Sequence, residues 1–237
     1  MAKSPRPWIV LPHAPIERLD DNLWAVEGTL DGGKGIPRRM MIVRRADGRL
    51  VFHNALPLDE PAMAEIGAWG EPAFLLVPNG LHRLDIHAFK ARFPGMKLLC
   101  PAEVRARVAE VAEVDGGYDA LPPDPGMRLE ALDGVKGGEV VVVVTSGSRV
   151  SLLFGDAVMN LPHLPGLQGF LFKLLGSTGA PKVTPIGKLL MVNDKARLRA
   201  HLARLAELPG LTRLVPSHGG VVTENAPAVL REVAAGV

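Results

Sequence analysis

Two blocks of secondary structure follow one another along this chain, and each block begins with strands and ends with helices. In the first block, the β-prone runs WIVL, LWAVEG, RMMIVRR and RLVFHNA precede helical patterns at about 59–69 and 85–93 and in PAEVRARVAEVAEV. In the second block, GEVVVVVT and RVSLLFGD, joined by an SGS turn, precede an amphipathic helix at 194–208 and a last helix. Because a sheet must cover its apolar face, this plan predicts two packed sheets with helices outside, in one domain spanning residues 1–237.

The composition is that of an ordinary globular protein. A chain of 237 residues with 47% apolar and 22% charged residues can bury a sizeable core. The formal net charge of +2, with no run of lysine or arginine, gives no reason to expect nucleic acid as a partner.

Cysteine usage and the N-terminal sequence predict a cytoplasmic location. Cys100 is the only cysteine, which precludes an internal disulfide, and it ends the strand-like run MKLLC as a small buried hydrophobe. The first fifteen residues lack the apolar region and cleavage site of a signal peptide, and no stretch has the roughly 18 apolar residues that span a bilayer. The sequence DGGKG lacks the serine or threonine and the helix of a phosphate-binding loop, so it predicts a hairpin turn.

Metal-ligating side chains follow three of the predicted strands. His82 comes after AFLLVP, Asp156 ends SLLFGD, and His218 ends RLVPSH. Imidazole and carboxylate are the usual ligands of zinc, iron and manganese, and functional groups often lie in loops at strand ends. Each segment alone is also typical of a polar turn, but together they indicate a shared site.

The order and spacing of these segments resemble the metallo-β-lactamase-fold superfamily over nearly the whole chain, from about residue 22 to residue 235. That family has a four-layer αββα sandwich of two mixed sheets flanked by helices, and its strands end in H-x-H-x-D-H, GD and HG. The turn with the pattern Pro-Asn-x-x-His is similar, more narrowly, to that of a divergent bacterial branch classed as a domain of unknown function.

The sequence departs from the family pattern at several ligands. H-x-H-x-D-H is absent, and the spacing of His82, Asp85 and His87 differs from it. Asp85 and His87 are two residues apart and cannot share one face of a helix. The family's mid-chain histidine has no counterpart in LDGVKGGEV, and its early aspartate is matched by His53 and Asn54. A complete dinuclear set therefore cannot be assembled.

The resemblance implies two functions. His82, Asp156 and His218 can hold one zinc, iron or manganese ion with an open position, as in a mononuclear hydrolase of an ester, lactone or phosphoester. Alternatively, the chain is a metal-free, non-catalytic relative that binds an unidentified small molecule or a protein partner in the former cleft. No catalytic residue can be assigned under either reading. The residues expected to line the pocket are Asn79, His53, Asn54 and His163.

The turn before the second helix is interpreted as a remodelled motif. Pro78 fixes the backbone where the strand ends, and Asn79 and Gly80 tolerate a left-handed turn. His82 is then expected to point into the cleft, with Arg83 and Asp85 on the surface. His87 is expected on the following helix, away from the cleft.

The segment at residues 161–193, called the apolar insertion below, is long for a connection and contains the apolar run GFLFKLL. Such segments are usually lids or binding loops. A lid over the pocket or a contact that forms a homodimer is favoured slightly over plain packing on the body, and membrane insertion is favoured least.

Overall fold

The computed structural model describes residues 6–29 and 35–237 and contains two β-sheets. Strands β1 to β6 form the first sheet in sequence order, antiparallel from β1 to β4 and parallel from β4 to β6. Its strands are β1 Glu17–Asp20, β2 Leu23–Thr29, β3 Pro37–Arg44, β4 Arg49–His53, β5 Glu71–Leu76 and β6 Lys97–Leu99.

The second sheet has the strand order β10, β9, β8, β7, with β10 parallel to β9 and the other pairs antiparallel. Its strands are β7 Met127–Ala131, β8 Val140–Ser146, β9 Arg149–Phe154 and β10 Leu211–Pro216. Both sheets are therefore mixed, as the resemblance implied.

Helices flank both sheets. The helices are α1 Glu60–Trp69, α2 Ile86–Arg92, α3 Arg105–Ala109, α4 Gly166–Leu174, α5 Pro185–Leu190, α6 Lys195–Ala206 and α7 Ala226–Ala235. The predicted starts of α1 and α6 are confirmed, because the carboxylates of Asp59 and Asp194 accept hydrogen bonds from the backbone of their first turns.

Alternating side chains of the buried strands build three apolar layers. In β3, Met40 and Ile42 face the layer under α1 and α2, whereas Met41 faces the layer between the sheets. In β8, Val141 packs under α6 and α7, and Val142 packs between the sheets. Because both faces of these strands are covered, their sequences are continuous apolar runs. This arrangement is the αββα sandwich, and the predicted fold class is confirmed.

Two predicted elements were wrong. The run WIVL forms no strand, because Trp8 anchors the segment through a 3.0 Å hydrogen bond from its indole nitrogen to the carbonyl of Leu58, which leaves Ile9 and Val10 exposed. The helix predicted in PAEVRARVAEVAEV is reduced to a short turn and α3. Only Val108 of α3 is fully buried and no side chain caps its start, so little packing stabilises a longer helix.

The turn predicted at residues 31–35 falls almost wholly outside the described residues, between the paired ends of β2 and β3. Within the described part of the chain, no helix has the length and apolar character needed to cross a bilayer.

Candidate metal centre

The ends of three strands bring His82, Asp156 and His218 to one edge of the sandwich. Phe154 and Pro216, the last residues of β9 and β10, are paired in parallel, and Asp156 and His218 each follow two residues later. The backbone N–H of Ser217 donates to the carbonyl of Phe154 at 2.8 Å, which continues the pairing into the turns. His82 reaches the same place from the turn between β5 and α2.

The three side chains contact one another directly. Asp156 Oδ1 lies 3.0 Å from His82 Nε2 and 3.1 Å from His218 Nε2, and the two Nε2 atoms are 3.4 Å apart. The side chains of Asp156 and His82 are almost fully buried and that of His218 is largely buried. Three donor atoms of metal-ligand type therefore converge on one point, within 4.8 Å of one another. His82 points inward, into this cluster.

Backbone contacts fix the orientation of His218. Its Nδ1 lies 2.8 Å from the carbonyl of Pro37. A carbonyl only accepts, so Nδ1 must carry a proton and donate, which directs Nε2 towards Asp156. A ring nitrogen that donates to a carbonyl while the other faces the site is the usual support of a metal-binding histidine.

The carboxylate of Asp156 and the imidazole of His218 shift each other's pKa values towards the charged forms. Burial acts to raise the pKa of Asp156, but the charge of His82 and hydrogen bonds from both histidines hold that pKa well below its ordinary value. Burial acts to lower the pKa of His218, but the Asp156 carboxylate outweighs burial and raises it. Without a cation, a proton on imidazole therefore neutralises the carboxylate, and a metal ion would take the place of that proton.

Asn79 orients the carboxylate through its side chain. Its Nδ2 donates to Asp156 Oδ2 at 2.7 Å, and its Oδ1 accepts from the backbone N–H of Leu81 at 2.9 Å. The left-handed turn predicted at Asn79 and Gly80 was wrong, since neither residue has positive φ. A Cβ at Gly80 would lie 2.8 Å from Cδ of Arg107, so the exposed Arg107 side chain would have to shift to accommodate it.

Glu139, which the sequence analysis missed, lies buried behind the Asp156 turn. Its Oε1 accepts from the backbone N–H of Ala157 at 2.8 Å, and a Cβ at Gly155 would approach this oxygen to 2.9 Å. Burial, followed by the charge of Asp156, raises the pKa of Glu139 to about 8. A charged residue directly before the run VVVVV was the available signal, since such a residue next to a buried strand needs a buried partner.

Replacing Glu139 with glutamine should remove part of the pH dependence of stability. A raised pKa means that the folded state holds a proton that the unfolded chain releases near pH 4.5, so the wild type loses stability as pH rises towards about 8. Glutamine keeps the acceptor oxygen and has no proton to lose. We expect the free energy of unfolding of metal-free E139Q, measured in urea, to fall less over this range than that of the wild type. Equal slopes would contradict the buried, protonated state of Glu139.

His53 and Asn54 lie beside the cluster, at the end of β4. His53 is fully buried, and burial followed by the charge of His82 lowers its pKa to about 3, so its ring is neutral. Neither ring nitrogen has a hydrogen-bond partner within the part of the chain that the structure describes. Asn54 has a φ of 68° and donates from Nδ2 to the carbonyl of Arg39 at 2.8 Å. Such a backbone conformation is uncommon outside glycine and marks a position held by its surroundings.

A cavity of about 240 Å³ opens onto the three converging side chains. Its walls combine apolar groups with one guanidinium and one amide. Besides the cluster itself, it is lined by Arg38, Asn54, Ala55, Leu81, Leu84 and Met159.

Asp85, predicted on the surface, is instead buried against Arg38, which lines this cavity. Its Oδ2 accepts from Arg38 at 2.5 Å, and Arg6 lies 3.5 Å from Oδ1. A carboxylate that starts a helix can turn inward when a buried cation neutralises it, and Arg38 supplies that cation from β3. Arg83, predicted beside it on the surface, is partly exposed and pairs with Glu110.

The two other histidines considered from the sequence lie outside the residues that line the cavity. His163 Nδ1 is 2.8 Å from the hydroxyl of Thr178, within the apolar insertion. His87 lies on α2, and its Nδ1 is buried without a hydrogen-bond partner among the described residues.

Comparison with solved structures places the fold. The chain is similar to metallo-β-lactamase FIM-1 from Pseudomonas aeruginosa in the mono-zinc form, with a TM-score of 0.60, 10% identity and coverage of 94% of this chain and 96% of that one. It is also similar to a metallo-β-lactamase from Pontibacter korlensis, with a TM-score of 0.61, 15% identity and coverage of 94% and 99%. A third match is a metallo-β-lactamase from Erythrobacter litoralis, with a TM-score of 0.60, 14% identity and coverage of 94% and 96%.

No protein-family model matches the chain, and no curated protein does. The similarity to solved structures shows that the chain has the metallo-β-lactamase fold. Because the sequence identity is only 10–15%, the similarity establishes the fold alone. The resemblance found in the sequence is confirmed at this level.

Proposed function

We propose that the chain is a metal-dependent hydrolase with a single metal ion held by His82, Asp156 and His218. The observation that carries this proposal is the convergence of their three donor atoms within 4.8 Å on the wall of a cavity. Zinc, iron and manganese all accept two imidazoles and a carboxylate. Bound there, such an ion supplies Lewis-acid activation of a water molecule and of the bond to be cleaved.

The residues around the cluster fit this role. Asn79 and the carbonyl of Pro37 hold Asp156 and His218 in fixed orientations. These two side chains would therefore lose little conformational freedom when they bind a metal ion. Leu81, Leu84 and Met159 offer an apolar wall, and the guanidinium of Arg38 lies on the same cavity. These surroundings favour a substrate that has an apolar part and an oxygen that gains negative charge, as in an ester, lactone or phosphoester.

Metal analysis of purified, untagged protein tests the proposal. We expect about one zinc, iron or manganese ion per chain in the wild type and none in H218A, because two remaining ligands hold an ion weakly. The matched control is H163A, which removes a histidine that does not line the cavity and should keep the metal. Hydrolysis of ester, lactone and phosphoester substrates should follow the metal content.

A metal-free protein that binds a small molecule or protein partner in the same cleft is the second candidate. It is favoured by the direct contacts within the cluster, where both histidines and Asn79 already satisfy the Asp156 carboxylate. Absence of metal in the wild type after growth in metal-supplemented medium would support this candidate and contradict the first.

We also infer that the chain forms a single domain and works in the cytoplasm. The first inference is supported by the apolar layer shared by the two sheets, and the second by the single cysteine, Cys100, which is buried and unpaired.

A further inference from the structure

Helix α4 turns an apolar stripe towards solvent. Leu167, Phe170, Leu171, Leu174 and Leu175 follow the spacing i, i+3, i+4, i+7, i+8 that places side chains on one helix face. All five are exposed, and Leu167 and Leu174 retain 76% and 71% of their accessible surface. In a helix that packs on the body, this face would be the buried one.

Helix α5 adds a second exposed apolar group. Ile186, Leu189 and Leu190 are exposed, Leu189 to 78%. The apolar insertion thus carries eight of the twelve large apolar side chains that are exposed in the described part of the chain. Such a concentration is typical of a surface that docks onto something else.

The charge of the insertion discriminates between occupants. Residues 161–193 contain Lys173, Lys182 and Lys188 and no aspartate or glutamate. The amino groups of Lys182 and Lys188 bind backbone carbonyls, which holds both side chains in place. A second copy docked on the same patch would bring three positive charges against three, whereas an anionic lipid surface would complement them.

The insertion is anchored beside the cavity. Met159, which lines the cavity, exchanges backbone hydrogen bonds of 3.0 and 2.9 Å with Lys182 at the end of the loop that follows α4. A surface bound by α4 and α5 would therefore lie near the entrance of the site.

We propose that α4 and α5 dock the protein onto anionic lipid bilayers. The apolar side chains of both helices enter the boundary between headgroups and acyl chains, and the three lysines contact the headgroups. An apolar helix face flanked by lysines binds at a membrane interface in this way without crossing the bilayer. The apolar pattern alone does not tell which way the stripe faces, and membranes are therefore the least favoured expectation from the sequence. The exposure of the stripe and the three lysines beside it reverse that order.

Sedimentation with vesicles tests the proposal. The full chain, with a chelator present so that the result does not depend on the metal, is mixed with phosphatidylcholine vesicles with or without phosphatidylglycerol. We expect phosphatidylglycerol to raise the partition coefficient by about tenfold and salt to reverse that gain. The double variant F170S/L174S should bind at least about tenfold more weakly than the wild type, since it removes two of the inserted apolar groups.

The matched control is I9S/V10S, which replaces two exposed apolar residues outside the insertion and should bind like the wild type. Folding of both variants is checked by circular dichroism. The proposal is overturned if F170S/L174S binds like the wild type, or if phosphatidylglycerol makes no difference. It is also overturned if sedimentation velocity shows a lipid-free dimer that F170S/L174S dissociates, which would make a second copy the occupant.

Discussion

Replacing Asp85 with asparagine should lower the free energy of unfolding by about 3–5 kcal/mol. Asp85 is fully buried, and the side chain of its partner Arg38 is only 6% exposed. Asparagine removes the negative charge and leaves a buried guanidinium without a neutralising carboxylate. Arg6, which also faces Asp85, would then lie close to Arg38 without a carboxylate between them. Unfolding in urea, monitored by fluorescence of the tryptophans, measures the loss.

The matched control for D85N is E207Q. Glu207 also pairs with an arginine, Arg231 at 2.8 Å, but both side chains are substantially exposed. An exposed pair contributes about 0–1 kcal/mol, because water screens it. If D85N costs no more than E207Q, the buried pair contributes no more to stability than a surface pair.

The sandwich could be predicted from the sequence because each buried strand is marked by its own short run of apolar residues. A strand covered on both faces needs apolar side chains at every position, and runs such as VVVVV and MMIV can satisfy that only inside a layered fold. The three candidate ligands followed from the same reasoning. Each comes directly after such a run, and parallel pairing of β9 with β10 makes the ends of these strands neighbours.

The missed residues are those whose partners lie far away in the sequence. Arg38 and Asp85 are separated by 47 positions, and only the packed structure shows that each neutralises the other. Asn79 was expected to line the pocket, but its hydrogen bond to Asp156, 77 positions away, is seen only in the folded chain. Glu139 depends likewise on the Asp156 turn. The local sequence pattern shows which polar residues follow the end of a strand. The partner that each polar side chain contacts depends on residues far away in the sequence.

A saturating divalent metal should stabilise the wild type and leave D156N unchanged. A ligand that binds only the folded state adds RT ln(1 + [L]/Kd), or about 2.7 kcal/mol at one hundred times Kd. Asp156 Oδ1 is within 3.1 Å of Nε2 of both histidines, so its carboxylate is central to the cluster. Asparagine keeps the shape but not the charge that would offset a cation. Unfolding is followed with zinc, iron(II) or manganese(II) and with a chelator.

The control for D156N is H163N, which removes a histidine that bonds to Thr178 within the apolar insertion and should keep the full stabilisation. If D156N gains as much stability as the wild type, the metal binds elsewhere and the three strand ends form no metal site. If the wild type itself gains nothing from any of the three metals, the cluster is a set of hydrogen-bonded polar residues. The metal-free candidate then stands, because His82, His218 and Asn79 already hold the Asp156 carboxylate from within the fold.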